Sequence, residues 1–259
     1  MHPLDGDRDT WLVESARQII TSATCITVLT GAGVSTPSGI PDFRGPQGLW
    51  TRDPSAAKLF DFDAYCADPA LRVRAWQARG AHEAWQAEPN AAHFAIAELE
   101  TQGRLRALIT QNIDELHQAA GSGRSAELLE VHGSLKRTVC LECGQRGAMR
   151  DALARVAAGE EDPACLTCGG IQKSDTISFG QPLDQDVFMA AVHAAADCDV
   201  FLAVGTSLQV YPVAGLVDIA IQAGAEVVIV NAEPTGFDSL AAAVVRAPIE
   251  QALPALVRV

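Results

Sequence analysis

A chain of 259 residues, 48% apolar and 20% charged, is long enough for one large core or a core with a smaller insert, and its composition excludes disorder and low complexity. Its 32 acidic against 19 basic side chains give a formal charge of -13, a field that repels phosphate backbones and anionic membrane surfaces and argues against direct nucleic-acid or membrane binding. The longest apolar territory is broken by Gly205, Pro212, Asp218 and Glu226, short of the ~20 residues of a membrane span, and the first five residues lack signal-peptide character, so the expected compartment is the cytoplasm.

In chain order, helical apolar spacing at Trp11/Leu12, Ala16 and Ile19/Ile20 precedes a short β-branched run over residues 25–30. Residues 49–90, rich in Trp and Ala, read as a helical insert. Ala92, Ile96 and Leu99 mark the next helix, followed by the apolar run Leu105–Thr110. Residues 136–172 hold four of the seven cysteines and read as a second insert. The runs Val200–Val204 and Glu226–Val230 flank a helical pattern at Val213, Leu216/Val217 and Ala220/Ile221. Buried-type strands alternating with helices predict a doubly wound parallel α/β sheet. The expected division is 1–48, 91–135 and 173–259 for the sheet domain, with 49–90 and 136–172 forming a smaller lobe.

Four places carry chemistry. The loop after the first strand, Thr30 to Gly45, contains four glycines and two prolines and ends Ile40-Pro41-Asp42-Phe43-Arg44. A Gly-rich turn between strand and helix lets backbone N–H groups approach a phosphate. It also fits a tight turn needing positive φ at Gly31 or Gly33, and the G-x-G-x-x-G pattern fails at Thr36. Its rigid, apolar and charged tail reads as a flap over a ligand. Gln111-Asn112-Ile113-Asp114 follows a strand, where open α/β sheets bind ligands, although an Asx-type cap of the next helix gives the same pattern. Among six histidines, His82, His93, His117 and His193 fall in helical segments without a partner motif. His132, in Glu130-Val131-His132-Gly133, lies where the sheet domain gives way to the cysteine segment; it is either a turn residue or a proton-transfer group suited to neutral pH.

Cys140-Leu-Glu-Cys143 and Cys165-Leu-Thr-Cys168 are separated by 21 residues. Two C-x2-C pairs offer four thiolates to one Zn²⁺ in a closed, structural site, with disulfides the alternative that a reducing compartment disfavours. Cys25, Cys66 and Cys198 read as buried small hydrophobes.

Gly31-Ala32-Gly33-Val34-Ser35 with Gly39-Ile40-Pro41-Asp42-Phe43-Arg44, Thr110-Gln111-Asn112-Ile113-Asp114, His132-Gly133, the two cysteine pairs, Phe179-Gly180, Gly205-Thr206-Ser207 and Val230-Asn231 together resemble the signature set of the sirtuins, NAD-dependent protein-lysine deacylases. The resemblance extends from about Thr10 to the C-terminus. It implies a Rossmann-like NAD-binding domain with a smaller zinc-bearing lobe. It also implies that Gly31, Ala32, Gly33, Ser35, Asp42, Phe43 and Arg44 bind and cover NAD, and that Gln111, Asn112, Ile113 and Asp114 hold ribose, a water and nicotinamide. Gly205, Thr206, Ser207, Asn231 and Ala247 are implied for the adenosine half. His132 would be the general base, with Asn112 beside it, in a reaction that releases nicotinamide and O-acyl-ADP-ribose from acyl-lysine proteins or peptides. Ile177, Ser178, Phe179 and Gly180 are implied to receive the substrate peptide by backbone pairing.

Ser174 stands where the family usually has proline and Gln181 where it usually has an acid, which suggests a somewhat divergent, bacterial-type branch. Trp76 and Arg79 correspond loosely to the family's Tyr-x-x-Arg, so Arg79 either meets a terminal acyl carboxylate or is a solvated helix-face charge. ADP-ribosyl transfer to a protein, or a non-catalytic NAD- or ADP-ribose-binding module, are the alternative functions.

Overall fold

The computed structural model describes residues 5–258 apart from 44, 46, 47, 53–57 and 59. A six-stranded parallel sheet is built from β1 (Ile26–Thr30), β2 (Leu105–Thr110) and β3 (Glu127–Glu130), followed by three later strands. Between β3 and those later strands the chain forms a three-stranded antiparallel sheet: β4 (Gly133–Cys140), β5 (Arg146–Ala148) and β6 (Gln172–Thr176). The large sheet is then completed by β7 (Val200–Val204), β8 (Glu226–Val230) and β9 (Ala243–Val245), in the order β3-β2-β1-β7-β8-β9. The helices are α1 (Asp5–Ser22), α2 (Leu49–Arg52), α3 (Phe62–Ala67), α4 (Pro69–Gly80), α5 (Ala91–Thr101), α6 (Leu116–Ala119), α7 (Met149–Ala157), α8 (Gln185–Ala196), α9 (Leu216–Ala223) and α10 (Ile249–Val257).

The central strands read as unbroken apolar runs because both faces are covered. On β7, Val200, Leu202 and Val204 join a core with Ala16 and Ile20 of α1, Ile96 and Leu99 of α5, and Leu253 and Leu256 of α10. Phe201 and Ala203, on the alternate face, pack with Ala191 and Ala195 of α8 and Leu216, Val217 and Ala220 of α9. That period-2 alternation sorts one strand's side chains between two helical layers and makes the sheet doubly wound. The apolar run 25–30 loses its first residue, since β1 begins at Ile26, and the helical pattern from Val213 opens as a 3-10 turn over Val213–Gly215 before α9. Strands β3 and β9, too short and mixed to read from periodicity, complete the sheet.

Caps set the ends of the insert helices. Asp68 accepts from Ala70 N with Pro69 at the first position of α4, and Asn90 caps α5 in a reciprocal box with His93. In the small lobe α4 meets α7 through Trp76, Met149 and Ala152. The antiparallel sheet reaches from Gly133 to Thr176, so it begins before and ends after the 136–172 segment. Among the described residues, no helix is long and apolar enough to cross a membrane.

Buried Glu100, at the end of α5, holds the connection that leads into β3. Its carboxylate accepts from the backbone N–H groups of Gly123, Arg124, Ser125 and Ala126. Burial opposes the charge, but these donors outweigh it and bring the pKa down to about 2. The folded pKa lies below the unfolded one, so this stabilisation is present above about pH 4.5 and fades as pH falls toward 2. Glu100→Gln is therefore expected to lower Tm at pH 7 by roughly 3–8 °C, from the worth of hydrogen bonds to a charged group. The gap to wild type should narrow as calorimetry is carried from pH 5 to pH 3.

Candidate active site

The carboxyl ends of β1, β2 and β7 meet on one rim of the sheet, and their loops interlock there. Gly31 N–H bonds Val204 O at 3.0 Å and Gly33 N–H bonds Gly205 O at 2.9 Å. A Cβ on Gly33 would lie 2.9 Å from Gly205 Cα, and one on Gly205, whose φ is +60°, would lie 2.4 Å from Val34 N. The glycines are needed because two backbones touch there as well as for any ligand. Gln111 ties the end of β2 to its neighbour β1 and to the loop after β7 one strand further on: its N–H bonds Thr30 O at 3.0 Å and its Nε2 bonds Thr206 Oγ1 at 2.9 Å.

Below this rim lies a buried polar network. Asn112 Nδ2 donates to Ser35 Oγ at 3.1 Å, and Ser35 Oγ donates to Asp114 Oδ2 at 2.7 Å. Asp114 Oδ1 accepts from Leu116 N, so the helix cap expected as an alternative coexists with a carboxylate tied to the glycine loop. Asn112 N donates to Thr110 Oγ1 at 3.1 Å, which accepts from Thr30 Oγ1 at 2.9 Å. Two histidines complete the network. Because Thr30 Oγ1 donates onward, His117 must donate to it from Nε2, at 3.0 Å. Because His93 Nδ1 accepts from Asn90 N, its own Nε2 carries the proton and faces Ser35 Oγ at 3.5 Å. Burial holds both rings neutral, pushing His93 down to about 4 and His117 well below the usual imidazole range.

His132 stands beside this network. Its Nδ1 lies 3.2 Å from Gln111 O, and a carbonyl only accepts, so Nδ1 carries the hydrogen and Nε2 keeps its lone pair. Burial lowers its pKa, offset in part by that backbone bond. Its own carbonyl accepts from Ile177 N at 2.9 Å. Gly133 has φ +72°, and a Cβ there would lie 2.0 Å from Asp175 O, so only glycine lets β6 cross immediately behind the imidazole.

The four cysteine sulfurs lie within 4.8 Å of one another, with Cys140–Cys168 at 3.5 Å and Cys143–Cys165 at 3.7 Å. These separations exceed the ~2.05 Å of a disulfide. They match the ~3.8 Å between sulfurs tetrahedrally bound at ~2.3 Å from Zn²⁺.

The Sir2 family model matches residues 31–212. The chain belongs to the Sir2 family. It is 52% identical over 239 residues to NAD-dependent protein deacetylase 2 of Streptomyces coelicolor, covering 92% of this chain and 99% of that one. Solved Sir2 structures agree with its fold. One, with a deacetylated p53 peptide and 3'-O-acetyl ADP-ribose, is 32% identical at TM-score 0.85, covering 94% of this chain and 96% of that one. Another, with a p53 peptide and NAD, is 32% identical at TM-score 0.80, covering 91% and 93%.

Several sequence expectations are refined within this Sir2 framework. Gly31, Ala32, Gly33 and Ser35 do lie at the rim with Gln111, Asn112, Asp114, Gly205 and Thr206. Ile113, partly buried between Asn112 and Asp114, packs against a small apolar cluster of Ile40, Ala84, Leu116 and Leu135. Asp42 holds the flap by accepting from Gly45 N at 2.9 Å. The Phe43 ring meets Phe60 edge-on at 5.8 Å, and Arg44 lies outside the described residues. Ser207 follows Thr206 in the loop after β7. At the far end Asn231 Nδ2 bonds Glu233 O, its carbonyl accepts from Arg246, and Ala247 packs against the core.

The stretch from Ile177 to Gly180 is not an open edge. Ile177 N, Ser178 N and both backbone groups of Phe179 have partners within the chain, Phe179 with Phe60 and Phe62, because the chain leaves β6 here and crosses the insert. The Phe179 ring is 46% exposed. Trp76 is fully enclosed, its Nε1 on Asp162, and faces α7 rather than the imidazole network. Arg79 is not a solvated charge: its guanidinium is buried against the Tyr65 and Trp76 rings, with Nε on Ser174 Oγ at 2.9 Å. Cys25, Cys66 and Cys198 are half-buried rather than fully buried.

His93 and His117 each stand in the sequence without an obvious partner motif. The spacing Asn90-x-x-His93 was the available signal, a capping box with histidine in the third position.

Two outcomes follow from this geometry. Elemental analysis should find one zinc per chain, and Cys165→Ser should lose it together with several degrees of Tm. Gly205→Ala, forced against Val34 N, should weaken NAD binding by tenfold or more in calorimetry, on the order of the 1–3 kcal/mol of overpacking.

Proposed function

We propose that this chain is an NAD-dependent protein-lysine deacylase, with acetyl-lysine peptides its first expected substrates. The observation that carries this reading is His132, held by Gln111 O as the Nδ1–H tautomer so that Nε2 can take a proton, next to the buried Asn112–Ser35–Asp114 network. The relatives' printed activity, deacetylation dependent on NAD, supports it.

In this reading Gly31, Ala32, Gly33, Ser35, Gln111, Asn112, Ile113 and Asp114 hold the nicotinamide and pyrophosphate side of NAD. Gly205, Thr206, Ser207, Asn231 and Ala247 hold the adenosine side, and Asp42, Phe43 and Arg44 form the flap. When bound, NAD would supply the ribose carbon that the acyl-lysine oxygen attacks as nicotinamide leaves, and uptake of one water then gives free lysine and O-acyl-ADP-ribose. Asn112 is oriented by hydrogen bonds at both its amide and its backbone. His132 Nε2 receives the proton released by a ribose hydroxyl.

One structural zinc on Cys140, Cys143, Cys165 and Cys168 anchors the small lobe and takes no part in the chemistry, since four protein ligands close its coordination. The two lobes are assigned as 1–48, 91–135 and 173–259 against 49–90 and 136–172, with the peptide entering along Ile177–Gly180. Cysteines without disulfides and an acidic surface fit a reducing cytoplasm and partners that are not nucleic acids.

Incubation with NAD and acetyl-, succinyl- or longer acyl-lysine peptides, followed by nicotinamide release and peptide mass, tests the proposal. NAD-dependent loss of acyl mass is expected, falling by about 100-fold or more in His132→Ala. Nicotinamide release with labelled protein and unchanged peptide would replace the deacylase with a transferase. The succinyl arm tests Arg79, whose Nη1 has no hydrogen-bond partner. Because burial lowers the His132 pKa, the base stays neutral below the ordinary imidazole value near 6.5. The kcat/KM profile should therefore hold level from pH 8 to 6.5 and drop only at more acid pH.

A further inference from the structure

The segments that carry His132, the loop 111–115 and the chain entering Ile177 come from three parts of the sequence, and one side chain touches all three. Arg137 lies on β4, five residues after His132. Each of its guanidinium nitrogens meets a different carboxylate: Nη1 lies 3.3 Å from Glu115, Nη2 2.6 Å from Glu130 and Nε 3.4 Å from Asp175. Glu130 ends β3 two residues before His132. Glu115 closes the loop of Gln111, Asn112 and Asp114. Asp175 sits on β6 two residues before Ile177, whose N–H holds the His132 carbonyl.

The acids are less exposed than the base, at 22%, 15% and 17% against 39%. Three half-desolvated carboxylates in one place repel one another unless a cation stands between them. Arg146 reaches only Asp175, at 3.0 Å. Ser134 Oγ also donates to Glu115, and Gln118 Nε2 donates to Glu130 at 2.8 Å. Glu115 itself holds φ +61°, a left-handed conformation unfavourable for any residue but glycine, asparagine or aspartate. Its reach to Arg137 and Ser134 gives the chain a reason to keep a glutamate there.

We propose that Arg137 is a positioning residue for the acyl-transfer reaction: by pairing with Glu115, Glu130 and Asp175 at once, it fixes the imidazole of His132 against the cofactor loop and the substrate segment. A planar fork can serve three acceptors in fixed directions, whereas an ammonium is a point charge. The inference rests on the deacylase reading. The tested proteins are therefore wild type, Arg137→Met, Arg137→Lys and Glu115→Gly, each assayed with NAD and an acetyl-lysine peptide alongside zinc content, Tm and the Kd for NAD.

Arg137→Met is expected to lower kcat by about tenfold or more, as a displaced reacting group does, with NAD affinity within about twofold and one zinc retained. Arg137→Lys should fall between it and wild type. Glu115→Gly should lose kcat while its Tm holds or rises, because glycine relieves the left-handed turn. This variant decides the question if Arg137→Met fails to fold. Turnover within twofold of wild type in both would overturn the proposal, as would a loss of kcat that always accompanies loss of zinc and NAD binding. A wild-type protein that released no nicotinamide would instead overturn the activity reading.

Discussion

The close passage of three strand-end loops governs everything above the sheet. Strands β1, β2 and β7 are buried on both faces, so the polar groups where they stop must find partners immediately. They find them in one another: Gly31 on Val204, Gly33 on Gly205, Gln111 on Thr30 and on Thr206. The result is a rim of fixed backbone set before any cofactor arrives. Preorganisation of this kind removes an ordering cost that binding would otherwise bear.

Polar side chains beneath the rim are tolerable in so apolar a place only because nearly all their atoms are paired. Ser35, Asn112, Asp114, Thr30, Thr110, His93 and His117 form one continuous set, and the two imidazoles work as neutral hydrogen-bonding groups rather than charges. His132 differs in exposure. Its Nδ1 is engaged by Gln111 O and the residue is only partly buried, whereas His93 and His117 are fully buried and the unpartnered Nδ1 of His117 is sealed from solvent.

The small lobe brings the remaining parts together. Its antiparallel sheet begins at Gly133, immediately after His132, so the strand that runs to Cys140 starts beside that residue. The outer edge of β6 is sealed by side chains: Tyr65 donates to Gln172 O, and Lys173, held down to about 8 by burial, donates to the carbonyls of Ser174 and Thr176. A capped edge does not recruit stray strands. It also explains why a stretch that reads as a ready peptide-pairing edge is largely paired within the chain.

The sequence by itself determined the elements whose cause is local. Unbroken β-branched runs marked the four central strands, since burial on both faces leaves no polar alternation. The C-x2-C spacing marked the cysteine site, since a tetrahedral ion needs two tight turns, and the motif string from Gly31 to Asn231 marked the family. Only the tertiary structure decided what depends on contacts distant in sequence. It placed His93 and His117 with Ser35 and Thr30, contacts that no spacing in the sequence specifies. It turned Trp76 and Arg79 inward, because helical spacing specifies a face but not what covers that face. It gathered Glu115, Glu130 and Asp175 on Arg137, since charge pairing across strands follows from register, and register is fixed only when the two sheets pack.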